Sequence, residues 1–385
     1  MYRLLWVAVA AAPAGLIAQE PEPVPPKEVL ADSLPPSSYP WLVSYFPYVS
    51  GDVGGGPVAV MRVRYFQPAP YSERQTFRAE GTIEAGIGLH GSRTVGLRYR
   101  APLMSASVRL LIGVDARRNT RENFFGLGND TENDPDVTSA AEFAYRVHRT
   151  EYSAFVGVTR RIKGPIKVSV LGGAQRNNYY ALPGTTVFAS SFGPDLIEKD
   201  AFGRVALVFD TRDNEFDPTT GLLVESGAQR GSGYTRVYGI ARGWRRFGGS
   251  QVAVRLGASQ LYDEPTLVSR FELPAWEDEL RMYGGNAINR GVSRNRFAGT
   301  AVVFSNIELR RDVLTTKNAL AVTALGFVDA GRVFEGERLR VTTDGLHVSP
   351  GVGLAVRILR STTVVATAAH GEDGMRFSIA GGWQY

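Results

Sequence analysis

Apolar and polar residues alternate with a period of two along most of this chain, and the alternating stretches are long. In one of them Phe77, Ala79, Gly81, Ile83, Ala85, Ile87 and Leu89 fall on one face, with Thr76, Arg78, Glu80, Thr82, Glu84 and His90 on the other. Side chains of a strand alternate between two faces, so this is strand spacing and not the 3.6 of a helix. The same pattern sets Val108, Leu110, Ile112 and Val114 against Ser107, Arg109 and Asp115. It sets Ala141, Phe143, Tyr145 and Val147 against Glu142, Arg146 and His148, and Val252, Val254 and Leu256 against Gln251, Arg255 and Ser259. Soluble strands average ~5–6 residues, whereas a tilted strand crossing a bilayer needs ~9–11. Faces this rich in Arg and Glu do not pack against a second sheet; a soluble β-sandwich would leave them exposed, but it would not need strands this long. Such faces need water, and a barrel with lipid outside and water inside supplies both solvents.

The fold class predicted is all-β: a 16-stranded antiparallel transmembrane β-barrel occupying residues 41–385. Its strands are expected at 57–67, 75–90, 92–101, 106–118, 138–149, 151–162, 165–180, 200–212, 220–232, 234–247, 250–263, 299–312, 318–332, 346–358, 362–370 and 375–385. An even count leaves both termini on the periplasmic side. The longest connection, 264–298, then lies outside, while 119–137 becomes a periplasmic turn that is long where such turns are short.

Composition adds a route to the membrane. Residues 1–18 read as a signal peptide, with Arg3, an apolar run from Leu4 to Leu16 broken by Pro13, and Ala18 before Gln19. That run is too short for a spanning helix of ~20 residues, and no later segment approaches one. Residues 19–40 are rich in Pro and acids and read as an extended periplasmic linker. With 43 Lys+Arg against 38 Asp+Glu the chain is mildly basic, but the excess is scattered and forms no block of the kind that tracks nucleic acid. Cys is absent, which removes disulfides and thiolate metal sites.

Four segments carry more specific signals. Asp210, Arg212, Asp213, Asn214, Pro218 and Gly221 compose a tight reversal; Arg212 and Glu215 stand where a calcium loop has an oxygen ligand and Gly. Gly284, Gly285, Arg290, Gly291 and Arg294 lie in the long outer connection, and connections of that length are usually functional. If it folds back into the barrel, Arg290 needs a carboxylate. On the strand at 318–332, Thr323, Leu325, Phe327, Asp329 and Gly331 share a face opposite Val322, Ala324, Gly326 and Val328. Asp329 then points into the lumen, either as the partner of Arg290 or as a solvated lumen charge. Finally, Phe377, Ile379, Gly381, Trp383 and Tyr385 share one face of the last strand, as expected of interfacial aromatics and of a terminal assembly signal. The four His are scattered without metal-ligand spacing, and no Gly-x-Ser-x-Gly elbow is present, so neither an enzyme, a metal site nor a cofactor is expected.

These segments, in their order, resemble the BamA/TamA-like superfamily of bacterial surface antigens. The resemblance spans roughly 40–385 and rests on FFGLGND at 124–130, DTRDN and PTTG within 210–221, GGNAINRGV at 284–292, FVDAG at 327–331 and SPGVGLAVRI at 349–358. It implies an outer-membrane location, a long extracellular loop folded into the lumen, and contact between Arg290 and Asp329. The chain departs from the family at Val292, where an aromatic is usual. It also departs in having about 22 residues between the cleavage point and Pro40, too few for a periplasmic transport-associated domain. The resemblance implies insertion or translocation of a polypeptide client, or lipid handling, through a weak seam between the first and last strands. Partners implied are outer-membrane lipid and the machinery that inserts the chain itself. The competing class is a solute channel lined by Arg98, Arg109, Arg146, Arg255 and Glu308.

Overall fold

The computed structural model describes residues 40–50, 57–70, 73–276, 279–281, 287–316, 320–358 and 362–383. The expected signal peptide, the linker up to residue 39, Gly284, Gly285 and Tyr385 lie outside them. One antiparallel sheet of 16 strands dominates. Its members are β1 (Leu42–Ser50), β2 (Val58–Pro68), β3 (Phe77–Gly88), β4 (Arg93–Ala101), β5 (Val108–Asn123), β6 (Arg146–Lys163), β7 (Ile166–Ala181) and β8 (Asp195–Asp210). They continue with β9 (Gly221–Arg230), β10 (Tyr234–Phe247) and β11 (Ser250–Asp263). After the miniature hairpin β12 (Glu272–Pro274) and β13 (Glu279–Arg281) come β14 (Ala301–Thr316), β15 (Leu320–Phe334), β16 (His347–Ile358), β17 (Thr362–Gly371) and β18 (Gly374–Gly381). Every strand of the sheet pairs with its neighbours in chain order, with β11 beside β14. No register joins β18 to β1 among the described residues.

The strand total matches the expectation, but two of its members do not. Leu42–Ser50 is a strand, pairing residue for residue with β2, where the first strand was expected only at 57–67. The expected strand at 138–149 is absent. Pro135–Ala140 forms a short helix, capped by the Asp134 side chain accepting from the Asp136 amide, and β6 runs unbroken from Arg146 to Lys163. Pro at the first helical position after an Asp cap is a helix start, and it wins over the alternation of Ala141, Phe143, Tyr145 and Val147. With β1 added in front, β5 becomes an odd-numbered strand. The 124–145 connection moves to the same end as 182–194 and 264–300, and the overlong turn disappears.

The two faces of the sheet differ as the alternation requires. One presents Val114, Val156, Val170, Val205, Leu207, Leu256, Ile307 and Leu354 to the exterior, each about half exposed. The other buries Glu80, Asp210, Glu225, Arg255, Glu308 and Asp329. The sheet is curled around this second face, because contacts across it join strands far apart in sheet order: Asn123 of β5 donates to the Arg294 carbonyl, and Arg109 of β5 reaches the β8–β9 turn. An apolar cluster lies inside the curl, with Phe124, Phe188, Phe271, Ile288, Val292 and Phe297 at its centre. The connection between β11 and β14 supplies Phe271, Ile288, Val292 and Phe297, so that connection is part of the core. Among the described residues no helix is long and apolar enough to cross a membrane.

Candidate functional site

Arg290 sits where the β11–β14 connection crosses the buried face. Its Nε and Nη2 donate to Asp329 Oδ2 and Oδ1, both at 2.8 Å, and its own amide donates to Oδ2 at 3.0 Å. Nη1 donates to Glu308 Oε2 at 2.6 Å. Beneath the guanidinium lies the Phe327 ring, 3.3 Å from its carbon to the ring centroid. The planar fork of Arg matches two carboxylate oxygens at once and stacks on aromatics, which Lys cannot do. Glu308 is shared with Arg310 Nε at 2.6 Å, and Asn306 donates to Asp329 Oδ1 at 2.8 Å and to the Ile288 carbonyl at 2.6 Å. Arg255 closes the group by donating to Asn306 Oδ1 at 2.9 Å. Asp329, Asn306 and Arg255 are fully buried, so these charges persist only because each is matched.

Glycines make the approach possible. A Cβ on Gly291 would stand 2.4 Å from Ser349 Cβ and Oγ on β16, closer than real side chains come. A Cβ on Gly351 would stand 2.3 Å from the Phe327 ring, so its absence leaves the floor on which that ring lies. Val292 is fully buried in the apolar cluster. Next to it the Phe297 ring stacks on His347, centroids 3.8 Å apart. The segment 124–130 braces the same region: the Gly128 amide donates to the Ala298 carbonyl at 2.7 Å, and Asn129 donates to the Gly345 carbonyl at 3.0 Å while accepting from the Val333 amide at 3.1 Å.

A second group gathers at the β8–β9 turn. Asp210 accepts from Arg212 Nε at 2.9 Å and from Lys167 at 2.8 Å. Asp213 accepts from the backbone amides of Asn214, Thr219 and Thr220, closing the turn, and Pro218 offers its carbonyl to Gln251 at 2.7 Å. Gly221 takes a φ of +109°, and a Cβ there would meet the Thr211 carbonyl oxygen at 2.5 Å. Glu215 leaves the turn and meets Arg109 of β5 in a two-point contact of 2.7 and 2.9 Å. Burial acts to raise the Glu215 carboxyl, but Arg109, aided by Lys167 and Arg212, overcomes it and holds the group down at about 2. Burial also opposes ionisation of Asp213, and the Thr219 hydroxyl with the turn amides still holds it below the usual carboxylate range. Trp276, from the β11–β14 connection, lies among these cations: Lys167 is 4.3 Å and Arg109 4.7 Å from its ring centroid. Its indole N–H donates to Thr159 at 3.1 Å.

Two expectations need correction here. Phe377 and Ile379 are exposed on the outer face, but Trp383 is not with them. Gly382 adopts a φ of +85°, which breaks the strand alternation and turns Trp383 to the buried side. Its indole donates to Asp217 at 2.7 Å, and the Arg310 guanidinium lies 3.8 Å over its ring. Arg146, expected on the lumen side with Arg98, Arg109, Arg255 and Glu308, has the opposite parity to the buried Val147, Arg149 and Glu151 and bonds to Asn123 at the end of β6. The shift follows from the false strand at 138–149. Glu308 as second acceptor of Arg290, Asn306 and Trp276 were not anticipated as site residues. For the first two a signal existed: Asn306, Glu308 and Arg310 alternate on β14 directly beside Asp329 and Phe327, with Asn306 opposite Asp329 and Glu308 opposite Phe327.

No protein-family model matches the chain, and no curated protein matches it in sequence. Solved structures do. The chain is similar to BamA from Haemophilus ducreyi lacking POTRA domains 1–3, at 12% identity and a TM-score of 0.56, over 89% of this chain and 70% of that one. It is similar to CdiB from Escherichia coli at 11% identity and a TM-score of 0.54, over 89% of this chain and 66% of that one. The likeness establishes a BamA-like barrel fold for the sheet.

Proposed function

We propose that this chain is an outer-membrane β-barrel that inserts or translocates polypeptide through a lateral seam between β1 and β18, with the β11–β14 connection seated in its lumen as a plug. The observation that carries the reading is the sheet itself: 16 strands in chain order, beginning at β1 and ending at β18, with an apolar exterior and a charged interior. An apolar face of this extent suits lipid, and the long connections then face outward. Likeness to the BamA and CdiB barrels supports the fold, and the sequence resemblance supplies the polypeptide client. Both strands at the seam are poor partners. β1 contains Pro47, which lacks a ladder donor, and β18 ends in Gly381 and Gly382, which have no side chain to pack. A strand edge left underpaired templates an incoming strand. The seam involves residues 42–50, not 57–67 as the sequence suggested, because β1 precedes that segment.

The chain has no native Cys, so introduced thiols report without interference. Cysteines placed singly at 43–48 and singly at 376–380 are to be paired, oxidised in vesicles and assayed for insertion of a small client barrel. At least one pair is expected to cross-link, to abolish client insertion, and to recover on reduction. Full insertion with the lock closed, or no cross-link from any pair, overturns the seam. A solute channel is the competing reading, and the apolar packing of Ile288, Val292 and Phe297 inside the curl counts against it.

A further inference from the structure

The exterior apolar face ends, on strands β4 to β9, in a row of cations. Arg93 is exposed on β4 on the same face as Val95 and Leu97, and the register sets it directly opposite Arg118, exposed on β5 on the face of Val114. Arg176, exposed on β7 on the face of Val170, is directly opposite Lys199, exposed on β8 on the face of Ile197 and Val205. Between the two pairs, on β6, the half-exposed Tyr152 stands opposite Arg176. Arg230 ends β9 on the same exterior face and pairs with Asp263 at 3.0 Å. Asp195 is an acid on this face, at the first residue of β8. All five cations lie toward the end that carries the 124–145 and 182–194 connections.

Directly opposed residues hold their Cβ atoms ~4.5–5.5 Å apart, and like charges so placed destabilise a ladder. Two such pairs on one face need an anion that the chain does not provide. Arg93, Arg118 and Lys199 have no hydrogen-bond or ion-pair partner among the described residues, while Arg176 spends Nε on Asn178 at 3.0 Å. The cations share a face with aliphatic residues, and long basic side chains lay their stems along such surface while keeping the charged heads in a polar layer. The missing partner is therefore an amphiphile, with acyl chains on the aliphatic side and anionic oxygens at the rim. The midpoints of the two pairs are three strand spacings of ~4.8 Å apart across the sheet and two residues, ~7 Å, apart along it, since Arg118 is opposite Thr150 and Arg176 opposite Tyr152 on β6; the separation is about 16 Å. A sugar headgroup bearing a phosphate at each end places one anion at each pair, which a headgroup with a single phosphate does not.

We infer that this row binds the phosphorylated headgroup of an outer-leaflet glycolipid. The inference rests on the membrane reading above and extends it to a specific lipid contact. The test uses the refolded full chain, with retention read by native mass spectrometry and by thermal stability in phosphatidylcholine vesicles. The probes are diphosphorylated lipid A, its dephosphorylated form, and phosphatidylglycerol. Wild type is expected to retain the diphosphorylated form at least tenfold better than the other two and to melt higher in its presence. The combined Arg93→Gln, Arg118→Gln, Arg176→Gln and Lys199→Gln variant is expected to lose that preference, and Arg93→Lys with Arg118→Lys to keep it. Equal retention of the dephosphorylated glycolipid or of phosphatidylglycerol overturns the inference, as does an unchanged preference in the folded Gln variant. If that variant does not fold, the three-lipid comparison on wild type decides alone. Failure of wild type to insert into any vesicle sinks the membrane reading instead, so the two are told apart.

Discussion

At the scale of single residues the centre of the molecule is Arg290. Truncating one partner of a buried ion pair costs about 3–5 kcal/mol, because the other charge is left unmatched. Arg290→Ala is expected to lose that much in denaturant melts, since it strands Asp329 and frees one oxygen of Glu308. Asp329→Ala is expected to cost less, because Arg290 keeps Glu308. The double change should cost less than the sum, and strict additivity would mean the two are not coupled. Strand parity alone pointed Asp329 inward, and Arg290 needed a carboxylate wherever it was buried. Trp276 had no such signal. Its approach to Lys167 and Arg109 depends on how far the sheet curls, which no periodicity reports.

Elements were readable in proportion to how regularly they alternate. Ser250–Asp263 and Tyr234–Phe247 match the expected bounds to the residue, whereas β1 was lost to its neighbours. It follows a Pro-rich stretch and contains Pro47, and Pro in a strand is tolerated only at an edge or bulge. The helix at Pro135–Ala140 was lost because five residues after it alternate by chance. These two errors cancel in the count but reverse the side on which the first connections lie, so the total alone was no test. The β8–β9 turn was recognised as a turn; what was not visible is that Glu215 leaves it to hold β5. That contact predicts acid sensitivity. Glu215 has a folded value of about 2 against an ordinary 4.5, so its stabilisation is full above about pH 4.5 and is lost as pH falls toward 2. The loss is on the order of 3 kcal/mol. Acid titration of stability should show a component in that window that Glu215→Gln removes; an identical acid limb in the variant would refute it.

At the scale of the whole molecule, the interior is packed and charged together. The β11–β14 connection contributes apolar side chains to the core and Arg290 to the ion network, and in the function proposed above it occupies the lumen. The full chain in planar bilayers is expected to give low, erratic conductance. Replacing residues 266–298 by a short Gly/Ser linker should raise it several-fold into steady openings. A folded deletion variant that still conducts no better than wild type would show that something else closes the lumen.

The inward turn at Gly382 has a consequence for how the proposed seam could part. Trp383 is tied to Asp217 and Arg310, and Asp217 in turn holds Arg357 of β16, so the end of β18 is fastened to the far wall. Beyond its ladder with β2, β1 offers, among the described residues, mostly exposed side chains, with Tyr48 donating to Glu84 at 3.2 Å under the guanidinium of Arg62. The two lips are not equivalent: one is a post and the other a leaf. Any opening swings on β1, and an incoming chain would find β18 as the stationary template against which to lie.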